Sequence, residues 1–149
     1  MLDPAQITFF AFLVLSASFA LSKGGAPERL GAAAIVAMAV LQAISRLFEP
    51  SRLYSTDPVA AVIDGYGVLS FGVLAIYANR AWPIWATSLQ ILSLTSHFAQ
   101  EVGPASRPGI YIVMKSAPTF FVIIALLVGT ASHQTRMRRF GKDAGWKGG

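Results

Sequence analysis

Five stretches of mostly apolar residues alternate with short polar breaks along the chain, and each opens within a residue or two of a proline. Each is close to the roughly 20 residues that a helix needs to cross a bilayer. They run over about 4–22, 27–48, 58–78, 82–102 and 108–132. Asp3-Pro4 and Asp57-Pro58 supply a capping oxygen followed by a proline at the first helical position. The alternating strands of a membrane barrel, about 10 residues each, would not give such long apolar runs. The pattern therefore predicts an all-α fold, a polytopic transmembrane bundle of five spans. The link "YANRAWP" leaves room only for a tight hairpin between the third and fourth.

Pro118 lies inside the fifth stretch. The expectation is one long kinked helix, which membranes tolerate. The alternative is four spans plus a short interfacial helix over 110–115, with Ser116 capping a helix that starts near Pro118. The first stretch has no basic leader, because Asp3 is the only charge before Lys23, and so it is read as a span and not a cleaved signal.

Composition agrees with a bilayer as solvent. The chain is 54% hydrophobic and 13% charged, against about 25% charged in soluble domains. With no cysteine, disulfides and thiolate metal sites are excluded. The placement of the cations matters more than the net +5. The tail 134–149 holds Arg136, Arg138, Arg139, Lys142 and Lys147 against a single acid, Asp143. This predicts a cytoplasmic C-terminus, and five spans then put the N-terminus outside. Arg136, Arg138, Arg139 and Lys142 are the candidates for contact with lipid headgroups.

Lipid gives no hydrophobic force between helices, so small residues and polar contacts decide how they pack. The four-residue spacings Ala33/Ala37 and Ala39/Ala43 in the second helix, and Ala61/Gly65 with Gly72 in the third, mark candidate packing faces. This predicts that the second and third helices form the centre of the bundle. The first and fifth, rich in large apolar residues, should face lipid.

The candidate polar pocket comprises Arg46, Asp64, Gln90, His97, Glu101 and Lys115. At 100° per residue, Gln90, His97 and Glu101 fall in one stripe of the fourth helix, with Ser93 beside it. In the predicted orientation the five ionisable members, from four helices, all lie in the outer half. A charge at mid-bilayer costs at least about 2.5–3.5 kcal/mol. One reading is an outward pocket in which Arg46 or Lys115 pairs with Asp64 or Glu101 and His97 responds to protons. The other is that Arg46 and Lys115 snorkel to water, Glu101 lies in a loop, and Asp64 alone needs a partner.

No specific chemistry is indicated beyond this. His97 and His133 lie at opposite depths, which excludes a bis-histidine haem within the chain. No metal-ligand spacing, P-loop or nucleophile motif is present. No cofactor, metal, nucleic-acid partner or enzymatic activity is expected.

The segments "RAWPIWATSLQILSLTSHFAQ" and "IYIVMKSAPTFFVIIALLVGTASHQTRMRR" resemble those of small multi-span proteins from sphingomonad-type alphaproteobacteria. The resemblance implies a bacterial inner membrane and no activity. The first functional expectation is a non-catalytic accessory or assembly subunit of a larger membrane complex, partnered by other subunits or by itself. The alternatives are a small-ligand or proton-linked transport module using Asp64, His97 and Lys115, and a holin-like pore former.

Overall fold

The computed structural model describes residues 4–48, 58–102 and 108–148; within these, the side chains of Ala5, 99–102 and 108–116 are excluded. The described residues form five helices: α1 Pro4–Lys23, α2 Ala26–Phe48, α3 Pro58–Tyr77, α4 Trp82–Val102 and α5 Pro108–Phe140. No strand occurs among the described residues. The first four helices match the sequence expectation to within a residue at each end. Asp3, the links 49–57 and 103–107, and the side chains of Glu101 and Lys115 lie outside the described part.

Each helix packs against its neighbours in the chain, α5 closes the ring against α1, and α2 also touches α5. Gly24 makes the α1–α2 turn possible: its amide donates to Ala20 O at 2.9 Å, and a β-carbon there would overlap that carbonyl and Glu28 Cβ. Among the described residues, four helices are long and apolar enough to cross a membrane, over 6–23, 26–48, 58–77 and 117–140. α4 is of spanning length, but it carries Thr87, Ser88, Gln90, Ser93, Thr95, Ser96 and His97.

α5 is one continuous helix through Pro118. It runs eight residues past the predicted end at 132, about 12 Å at 1.5 Å per residue. It stops at Gly141, whose φ of +67° suits glycine and whose amide caps Met137 O. The chain then turns back. Asn79 N–H donates to Gly145 O and Lys147 N–H donates to Tyr77 O, pairing Ala78 with Trp146 beside the α3–α4 hairpin. The basic tail 134–149 is therefore part helix and part docked chain.

The packing expectation needs correction. α4 makes the most extensive contacts, with α3 on one side and α5 on the other, so the centre is not α2 with α3. α5 is not merely lipid-facing, since Val122, Ile123 and Leu126 are fully buried. On α2 the inward face is Gly31, Ala32, Ala34, Ile35 and Met38. Ala33 and Ala43 are exposed, and Ala37 and Ala39 are half-buried. On α3 a β-carbon at Gly65 would touch nothing and one at Gly72 would only just reach Thr87. Gly67 is the close approach: a β-carbon there would lie 2.7 Å from Gln90 Cγ. Trp82 is buried in the bundle, while Trp85 is exposed.

Candidate functional site

Two buried polar sites occupy opposite ends of the bundle interior. The first centres on Asp64, which α3 turns inward on the same face as Ile63, Gly67 and Phe71. Opposite, α4 presents Gln90, Ser93 and His97 from successive turns of one stripe. Gln90 Nε2 donates to Asp64 Oδ1 at 3.1 Å, and Ser93 Oγ donates to Oδ2 at 2.7 Å. His97 Nε2 lies 3.1 Å from the same Oδ2, within hydrogen-bond distance. Ser96 supports the stripe by donating to Ser93 O.

All four residues of this site are buried. Two polar atoms are left without partners: Gln90 Oε1 and His97 Nδ1. Turning the Gln90 amide over would set Oε1 against the carboxylate, so the network fixes its orientation. When His97 Nε2 carries the hydrogen, Nδ1 is a bare acceptor.

Of the predicted pocket, the structure brings Asp64, Gln90 and His97 together and adds Ser93. Arg46 does not join them: it is exposed at the far end of α2, and its neighbour on the same face, Gln42, is half-buried. Arginine near a helix end reaches water at low cost, which is the snorkelling expectation. The Glu101 and Lys115 side chains are outside the described part.

The second site was not anticipated. Glu28, at the start of α2, is completely buried. Its Oε1 accepts from Arg80 Nε at 3.1 Å and from Trp82 Nε1 at 3.2 Å. Arg80 spends its whole fork: Nη1 donates to Asn79 O and Ala144 O, and Nη2 to Asp143 Oδ2 at 2.7 Å. Asp143 also binds His133 Nδ1 at 2.7 Å and Arg136 Nε at 2.9 Å. Gln134 Nε2 donates to Lys23 O, tying α5 to the end of α1. The network thus joins α1, α2, the α3–α4 hairpin, α5 and the tail.

Arg136, assigned to headgroup contact from the sequence, is therefore partly engaged within the protein. Arg138, Arg139 and Lys142 are exposed. The sequence did carry a signal for this network: Asp143 is the single acid of the tail among five cations.

Burial opposes ionisation of Asp143, but its hydrogen bonds to Arg136 and His133 and the charges of Arg80 and Arg136 outweigh it, holding the carboxyl below its usual 3.8. A depressed carboxyl stabilises the fold above its unfolded pKa, and that contribution is lost as pH falls through the folded one. The docked tail should therefore hold from neutrality down to pH 3.8 and release only below it. The difference in emission between Trp85→Phe and Trp85→Phe with Trp146→Phe, which isolates Trp146 from Trp82, would follow this. Release that is already complete at pH 5 would contradict it.

No family model, curated protein or solved structure matches the chain.

Proposed function

We propose that the chain is a polytopic protein of a bacterial inner membrane, with its N-terminus outside and C-terminus cytoplasmic, acting as a proton-linked transport module. Four apolar helices support membrane residence. The lower hydropathy of α4 fits an inner fifth span, because Gln90, Ser93 and His97 turn toward α3 while Ile84, Ile91, Leu92 and Phe98 face outward. Its 21 residues rise about 30 Å, enough for the hydrocarbon core.

The observation that carries the reading is the buried Asp64–His97 pair. Gln90 and Ser93 could satisfy an amide at position 64, so holding the bundle together does not require an acid there. An acid beside an imidazole does what an amide cannot: it takes up and releases one proton without unpairing its other hydrogen bonds. Ionisable groups inside a membrane are expensive, and proton relays are one of their recurrent uses. This reading departs from the accessory subunit first expected, in which the polar set would only hold the bundle.

Proton entry into vesicles containing a pH-sensitive dye, driven by a potassium diffusion potential, tests the proposal. The parent protein should exceed protein-free vesicles. Asp64→Asn and His97→Gln should fall to the protein-free rate, while Ser93→Ala keeps most of the flux. A parent at the protein-free rate that co-purifies with a much larger assembly would return the reading to an accessory subunit.

A further inference from the structure

The face where α4 meets α5 carries an apolar groove of about 420 Å³. Trp85, Leu89, Phe121 and Val128 are among its walls, and Arg80 and Arg136 close one end. The stretch of α5 from Phe121 to Ser132 rises about 16 Å. That is the depth of one leaflet's hydrocarbon, roughly 15 Å. Arg136 lies one helical turn beyond Ser132, at the level where headgroups begin.

Arg136 differs from its neighbours Arg138 and Arg139 in being fixed: its Nε is held by Asp143 and its Nη2 is buried, with no acceptor among the described residues, while the side chain as a whole stays 37% exposed. It also lines a second hollow, between the end of α5 and the tail, with Phe140 and Lys142. Arg138 and Arg139 are exposed and line neither hollow. A guanidinium fixed at Nε whose side chain is still part-exposed suits an anionic phosphate oxygen, and a leaflet-deep apolar groove suits an acyl chain.

We propose that this groove binds one anionic phospholipid of the leaflet facing the C-terminal tail, with an acyl chain along α5 and the phosphate on Arg136. The proposal rests on membrane residence and is independent of the proton-linked role. A chain that is monodisperse without detergent or lipid would remove that foundation, and this is checked first.

The test is titration of the detergent-solubilised protein with phosphatidylglycerol or phosphatidylcholine of identical chains, with bound lipid counted by native mass spectrometry. Phosphatidylglycerol should bind as a single molecule, about tenfold more tightly than phosphatidylcholine. Arg136→Gln should abolish that preference, while Arg136→Lys, which keeps the charge, retains part of it. Ala125→Phe, which fills the groove and leaves every charge in place, should weaken both lipids. A preference that survives Arg136→Gln, or that is lost on Arg138→Gln with Arg139→Gln, would overturn the proposal in favour of diffuse surface attraction. Unchanged binding to Ala125→Phe would also overturn it.

Discussion

Replacing Arg80 with alanine should destabilise the protein by about 3–5 kcal/mol, the range for breaking a buried ion pair by removing one partner. Arg80 lies between two acids, Glu28 and Asp143, and binds both. Its loss leaves Glu28 completely buried with only the Trp82 N–H, and removes the link from the hairpin to Asp143. It also strips the Asn79 and Ala144 carbonyls of their donor. Thermal unfolding in detergent should fall by on the order of 10 °C. Arg80→Lys should lose less, because it keeps the charge and forfeits only the fork. A fall below about 2 °C for Arg80→Ala would mean that the network contributes little.

Trp82→Ala should cost about 3–5 kcal/mol as well, by a different route. The indole fills a slot between two glycines, Gly31 of α2 and Gly129 of α5, where any β-carbon would collide with the ring. It meets Phe71 edge-on, with ring centroids 6.2 Å apart, and donates to Glu28. Truncation opens a cavity shared by four helices. Trp82→Phe keeps most of the packing and loses the hydrogen bond, so it should cost about 1 kcal/mol plus any penalty for leaving Glu28 less satisfied. Filling the slot from the other side makes the complementary comparison. Gly129→Ala should destabilise by about 1–3 kcal/mol, whereas Gly65→Ala, with open space around it, should be neutral or gain up to about 1 kcal/mol of helix propensity. Unfolding temperatures of the four variants in one detergent decide it; equal effects at Gly65 and Gly129 would refute the slot.

Hydrophobic spacing was enough to place the helices, because span length and proline starts are local properties of the chain. The Asp64 site was half legible. Helical arithmetic put Gln90 and His97 on one stripe and marked Asp64 as a side chain too short to snorkel, but it could not say which way α4 faces. The same arithmetic would have chosen the right glycine had Asp64 been taken as the inward marker. Gly67 lies 60° from Asp64 around the helix, whereas Gly65 lies 200° from Gly67 and points away. Spacing between small residues identifies a face without saying whether anything packs on it, which is why Ala33 and Ala43 proved exposed. The Glu28–Arg80–Asp143 network stayed hidden for another reason. The positive-inside rule counts loop cations to set orientation, and it carries no information about which of them are buried and paired.

The corners of that network also set an order of events in biosynthesis. Glu28 and Arg80 are 52 residues apart, and Asp143 follows Arg80 by another 63. A growing chain therefore completes the first pair well before its third corner is made. Pairing across such separations is slow relative to helix formation. The helices can form one at a time, but the ring is fastened at this end only when residues 143–147 return to the α3–α4 hairpin.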